Sequence, residues 1–155
     1  MGKQNVTNVV FAGLGGQGVL KASDILSDAA FGAGFDVKKS EIHGMSQRGG
    51  SVTSDVRYGP EVFSPMVPVG ESDFLVALDS TQIAPDLDDL DQDPTTPITR
   101  RGFNVALIGV LSAYLDLPEA NWREALHGNL PAKTHAVNDE VFAIGRAIGL
   151  KRKQS

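Results

Sequence analysis

"NVVFAGLGGQGVLKASDILSDAAFGAGFDVKKSEI", residues 8–42, is the stretch that decides the fold. After Asn8 its opening residues, VVFA, are apolar, rich in β-branched and aromatic side chains, and closed by glycine, which marks a buried strand. Further on, Val19, Ala22, Leu26, Ala29 and Ala33 recur at steps of three and four, so a helix follows with one face on a sheet. Gly32 and Gly34 suit the end of that helix. FDVKKSEI, residues 35–42, reads as a second strand. Strand, helix and strand in this order form a β-α-β unit, which is parallel and almost always right-handed.

Working outward, SVTSDVRY (residues 51–58) alternates, with Val52, Ser54, Val56 and Tyr58 on one side and Ser51, Thr53, Asp55 and Arg57 on the other, the pattern of a half-exposed strand. GPEVFSPMVPVG carries three prolines and reads as extended and irregular. DFLVALD, residues 73–79, is apolar on both faces until its closing aspartate and reads as a covered central strand. Residues 80–101, with three prolines and five aspartates and no period, read as a solvated acidic linker. Its aspartates lack the glycine turn and closing glutamate of an EF-hand, so no metal is expected there. The remainder is helical. FNVALIGVLSAYL is apolar nearly all round, EANWREALHGNL is a short amphipathic piece anchored by Trp122, and THAVNDEVFAIGRAIG puts Val137, Val141, Ile144 and Ile148 on one face. KRKQS reads as a frayed end.

The composition narrows the classes. A chain of 155 residues, 41% hydrophobic and 21% charged, is expected to be one domain over 1–155. A net charge of -5 argues against a nucleic-acid partner, which would call for a basic face. No apolar run reaches the length of a membrane span and the first residues lack a secretory core, so a cytoplasmic protein without membrane contact is expected. The cysteine count is 0, which excludes disulfides, thiolate zinc, a cysteine nucleophile and cysteine-held iron-sulfur clusters in this chain.

Two glycine-rich loops hold the candidate chemistry. GLGGQG, residues 13–18, matches G-x-G-x-x-G between strand and helix, where a dinucleotide fold places pyrophosphate over free amides. Glu41 is the candidate for the ribose-binding acid, and an independent NAD- or FAD-binding Rossmann protein is one reading. The competing reading is that these glycines serve a tight turn and close packing. HGMSQRGG, residues 43–50, sits between two strands. Arg48 offers a permanent planar cation for a carboxylate or phosphate, His43 a proton carrier near neutral pH, and Ser46 and Gln47 hydrogen bonds. Gly49 and Gly50 let backbone approach closely, and Met45 offers an adaptable apolar contact. Structural roles compete here too: a hydrogen-bonded histidine, or an interface ion pair at Arg48. Asp79 at a strand end suits helix capping or a ligand. Asn104, in an otherwise apolar helix, must satisfy its amide inside, against the glycine loop. His127 and His135 are too isolated to suggest a metal site.

These motifs, in this order, carry a resemblance. Residues 11–59, with GLGGQG and HGMSQRGG, resemble the start of the gamma-type domain of 2-oxoacid:ferredoxin oxidoreductases, and more narrowly the beta subunit of indolepyruvate ferredoxin oxidoreductase. The likeness continues through residues 63–79, 104–118 and 123–145, while the family has more chain than residues 80–101 provide. It implies a three-layer α/β/α Rossmann-like domain with a mostly parallel sheet. It also implies a non-thiamine subunit, inactive alone, of an enzyme that converts an arylpyruvate and CoA to an acyl-CoA. Thiamine diphosphate, iron-sulfur clusters and CoA would be held through a large partner subunit, with ferredoxin as acceptor and no cofactor bound by this chain alone. On that resemblance His43, Gln47 and Arg48 assist the partner's chemistry, while Gly13, Gly15, Gly16, Gln17, Gly18, Ser46, Gly49 and Gly50 contact its ligands. A gamma subunit acting on pyruvate or 2-oxoglutarate, and an assembly module without chemistry, are the alternatives.

Overall fold

The computed structural model describes residues 5–44, 50–78 and 102–155. In chain order these form β1 (Thr7–Leu14), α1 (Val19–Gly32), β2 (Asp36–His43), β3 (Ser51–Gly59), β4 (Phe74–Ala77), α2 (Phe103–Ser112), α3 (Glu119–Asn129), a 3-10 turn (Ala132–Thr134) and α4 (His135–Lys153). The strands make one sheet in the order β2-β3-β1-β4.

The expected α/β class holds, but the sheet is mostly antiparallel in its pairing. β3 pairs antiparallel with both β1 (Val9 opposite Val56) and β2 (Lys39 opposite Val56), while β1 and β4 pair parallel (Phe11 opposite Val76). β1 and β2 therefore run the same way, as a β-α-β unit demands, yet β3 lies between them. The cause is the short link after β2: residues 44–50 can close a hairpin, whereas a parallel neighbour needs a crossover of roughly a dozen residues or more.

Register assigns the faces. Val9, Phe11, Val56, Tyr58 and Val76 share one face and are buried. α1 covers it with Val19, Ala22, Ile25, Leu26, Ala29 and Ala30. Each large aliphatic side chain so buried contributes on the order of 1.5–3 kcal/mol. α3 packs against α1, and α4 against α2. The α4 contact face differs from the one expected. Val137 is 47% exposed, and the buried positions are Val141, Phe142, Gly145 and Gly149. Glycine lets the two backbones touch, because a Cβ on Gly145 would overlap the carbonyl of Ala106 and one on Gly109 the carbonyl of Phe142. Helix α4 also runs on through Lys153, so most of KRKQS is helical rather than frayed.

The other face of the sheet is tied down by polar groups. Asp36 accepts from Val62 N at 2.8 Å and Asp55 from Val67 N at 3.0 Å, while Arg57 donates to Ser64 O at 2.9 Å and to Asn8 Oδ1 at 2.8 Å. Asn8 in turn donates its Nδ2 to Glu71 O at 2.9 Å. The proline-containing segment 60–72 is thus a strap held by Asp36 of β2 and by Asp55 and Arg57 of β3, the last two on the side that the alternation alone assigns to solvent. Among the described residues this strap covers the second face, and α1 stands on the first. β4 is shorter than a covered central strand, and its outward Leu75 is 68% exposed. No helix among the described residues is long and apolar enough to cross a membrane.

Two measurements check this packing. Gly145→Ala forces a methyl group into Ala106, and urea denaturation is expected to show a loss of about 1–3 kcal/mol; an unchanged midpoint contradicts the backbone contact. The Val62 amide, with Lys38 beside it, holds the Asp36 carboxyl below the usual carboxylate range. Its stabilising effect is therefore complete above about pH 4 and is lost as the pH falls through the lowered folded value. Asp36→Asn should be less stable than the parent at neutral pH, with a deficit that shrinks on acidification; a deficit independent of pH contradicts the assignment.

Candidate functional site

β1 delivers the glycine loop to the end of the sheet. Gly16 (φ 89°) and Gly18 (φ 83°) are left-handed, a region side chains disfavour, and this lets the chain turn from strand to helix within a few residues. Gln17 closes the turn on itself: its Oε1 accepts from Leu14 N at 2.7 Å and its own N–H donates to Leu14 O at 3.2 Å. Gly13 is needed beneath it, since a Cβ there would lie 2.8 Å from both Gln17 Oε1 and Val19 Cγ2. Gly15 and Gly16 are exposed, forming a glycine shelf.

Two other segments meet this shelf. Gly15 donates its N–H to Gly50 O at 3.0 Å, joining the glycine loop to the end of the HGMSQRGG loop. The neck of that second loop is closed by His43 opposite Val52 and by Gly44 N donating to Ser51 O at 2.7 Å. From α2, Asn104 donates its Nδ2 to Gly18 O at 3.4 Å and accepts from Val105 N at 3.0 Å. A Cβ on Gly18 would fall 2.5 Å from that Nδ2, so glycine is required twice over. The expected use of Asn104 against the glycine loop is therefore what the structure contains.

Of the sequence-predicted residues, Gly13, Gly15, Gly16, Gln17, Gly18, His43 and Gly50 come together at one end of the sheet. This is the carboxyl end of β1, β2 and β4, the end where open α/β sheets hold ligands. His43 is exposed there. Met45, Ser46, Gln47, Arg48 and Gly49 lie outside the described residues, as do Asp79 and the 80–101 linker.

Glu41 is not placed for a ribose. It pairs with Lys39 Nζ at 2.8 Å, and Lys39 also pairs with Asp24 of α1. Burial pulls the Lys39 ammonium down, but the two carboxylates outweigh it and hold the group above the usual lysine range. With β3 between β2 and β1, Glu41 stands two strand spacings, about 10 Å, from the strand that carries the glycine loop. The amides of Leu14 and Gly15 are also occupied within the protein, so the dinucleotide reading is not favoured.

His127 and His135, isolated in sequence, stack with centroids 4.1 Å apart and planes 4° from parallel. His127 Nε2 bonds Asp139 Oδ1 at 2.8 Å and His135 Nε2 bonds Leu130 O at 2.8 Å, which fastens α3 to α4. Among the described residues no group of three or more His, Cys, Asp or Glu could hold a metal. With no cysteine in the sequence, the chain also has no thiolates for an iron-sulfur cluster. Trp122 is fully buried against Phe142, 6.2 Å between ring centroids, and anchors its helix as expected. What the site can do by itself is present backbone and small polar groups to a ligand or partner surface.

Known proteins resemble this chain in sequence and in fold. The chain is 45% identical over 75 residues to "Indolepyruvate oxidoreductase subunit IorB" of Thermococcus kodakarensis, and 47% identical over 75 residues to the protein of that name from Archaeoglobus fulgidus. Each match covers 48% of this chain and 37% of the relative, so the chain spans well under half the length of these relatives. Among solved structures, the keto/oxoacid ferredoxin oxidoreductase gamma subunit of Geobacter sulfurreducens superposes with a TM-score of 0.69 at 15% identity, over 95% of this chain and 98% of that one. Pyruvate oxidoreductase subunit PORC of Thermotoga maritima gives 0.69 at 19% identity, over 92% and 96%. The 2-oxoglutarate:ferredoxin oxidoreductase of Magnetococcus marinus gives 0.69 at 18% identity, over 93% of this chain and 31% of that longer one. Residues 8–96, which include both loops, match the family described as "Pyruvate ferredoxin/flavodoxin oxidoreductase", and to that family the chain belongs.

Proposed function

We propose that the chain is the non-thiamine subunit of an indolepyruvate (arylpyruvate):ferredoxin oxidoreductase, in which it completes an active centre held mainly by a large partner subunit. The observation that carries this reading is the 45–47% identity to indolepyruvate oxidoreductase subunits over 72–75 residues. In the proposed reaction the bond between the carbonyl carbon and the carboxylate breaks and CO2 leaves. A thioester bond forms to the CoA sulfur, one proton is released and a pair of electrons passes to ferredoxin.

Thiamine diphosphate bound to the partner would supply the electron sink for that cleavage, and iron-sulfur clusters would carry the electrons onward. The cysteine count of 0 is consistent with clusters held outside this chain. This chain's contribution is positional. The Gly15–Gly50 hydrogen bond ties the last residue of HGMSQRGG to the glycine turn, and His43 and Gly44 hold its first residues beside β3. Arg48 binds the carboxylate of the 2-oxoacid or a phosphate of CoA through its planar fork. Gln47 and Ser46 orient the bound ligand by hydrogen bonds, and Gly49 leaves room for its close approach. His43, exposed at the neck of the loop, accepts or returns the released proton.

The isolated chain is expected to reduce no viologen dye with any 2-oxoacid and CoA, whereas the complex reconstituted with the large subunit does so with indolepyruvate. Turnover by the chain alone, or none by the complex, rejects the division of labour. Within the complex, Arg48→Ala should lower kcat/KM by about 10- to 100-fold, the loss of one charge-assisted hydrogen bond, with assembly intact on a sizing column. An unchanged rate in an assembled Arg48→Ala complex would make the loop an assembly element without chemistry.

A further inference from the structure

A cleft of about 710 Å³ opens at the opposite end of the sheet from the glycine loop. Thr7 lines it, and β1 runs from Thr7 to Leu14, so the two ends are separated by about 23 Å of strand. Nothing in the proposed function uses this end of the molecule. The volume lies within the range of small-molecule sites, about 300–1,000 Å³.

Two aromatic pairs form its walls. Phe35 meets Tyr58 edge-on, with centroids 5.4 Å apart and planes at 61°, and Phe74 meets Tyr114 at 6.3 Å and 51°. Among the described residues the charges lining the cleft are two carboxylates, Asp73 and Asp116, with no lysine, arginine or histidine. Asp73 is fixed by the Asn8 amide, which donates to its Oδ2 at 2.8 Å. Asp116 makes no hydrogen bond or ion pair among the described residues. Burial, opposed by a hydrogen bond with Thr7 and supported by the smaller fields of Asp116 and Asp73, pushes the Tyr58 hydroxyl above the usual tyrosine range. An anion is repelled from such a cleft. A cation with an apolar body gains from both carboxylates and from the negative faces of the rings.

We propose that this cleft binds a small organic ammonium ion with an aromatic or bulky alkyl body, its charge between Asp73 and Asp116 and its body among Phe35, Phe74 and Tyr114. The test is a titration of the full-length, ¹⁵N-labelled chain with benzyltrimethylammonium, followed by amide NMR. Saturable shifts are expected at Thr7, Gly59, Phe74 and Leu115, with a Kd of about 0.1–10 mM. Benzyl alcohol and benzenesulfonate, which keep the ring but replace the cation, should give no saturable shift at these amides. Asp116→Asn, a change at an exposed residue, should weaken the cation by about three- to tenfold while thermal unfolding stays that of the parent. Equal binding of benzyl alcohol, shifts confined to other parts of the chain, or unchanged affinity in a folded Asp116→Asn variant would each overturn the proposal.

Discussion

The hydrogen bond from Gly15 N to Gly50 O is the constraint on which the arrangement of the site depends. It links the turn that ends β1 to Gly50, at the start of β3. It can form because β3 lies beside β1 along the whole strand, with Leu14 opposite Ser51 at the end of the ladder. The described ends of the second glycine-rich segment, His43, Gly44 and Gly50, thereby meet the glycine turn at one end of the sheet. Asn104 adds a third fastening by bonding Gly18 O from the first turn of α2.

The insertion of β3 between β1 and β2 has a second effect on chemistry. In a dinucleotide fold the strand after the first helix lies next to the first strand, and its terminal acid reaches the ribose. Here that neighbouring place is taken, and Glu41 is bound to Lys39 at the edge of the sheet. The same G-x-G-x-x-G spacing thus serves a turn, a packing contact at Gly13 and a junction with another loop. The sequence motif is shared with nucleotide-binding proteins, but the topology around it is not.

Much of the fold is legible in the residues. The periodicity of Val19, Ala22, Leu26 and Ala29 locates α1 and its buried face, and the alternation of Val52, Ser54, Val56 and Tyr58 locates β3 and its inner side. Strand neighbours are less legible, because hydrophobic pattern encodes which face is buried and not which strand lies alongside. The length of the link after β2 was the available signal for an antiparallel neighbour. The α2–α4 contact was missed for a different reason: Gly145 and Gly149 pack through backbone, so a search for apolar side chains shifts the predicted face toward Val137. Asp55 and Arg57 read as the exposed side of a strand, although with Asp36 they hold the strap, since the partners of alternate polar residues lie far along the chain. The stacking of His127 on His135 belongs to the same class, set by the docking of α3 on α4. Asn104 was legible because an amide among apolar neighbours needs a partner, and the glycine turn leaves a carbonyl to supply it.

The proposal that this end of the sheet faces a larger subunit is most directly tested by hydrogen exchange on the chain, free and in complex with its large partner. Slower exchange on assembly is predicted in residues 13–18 and 43–52, with the strap at residues 60–72 unchanged. Protection confined to the strap or to α4, with the two loops exchanging as in the free chain, would contradict the account.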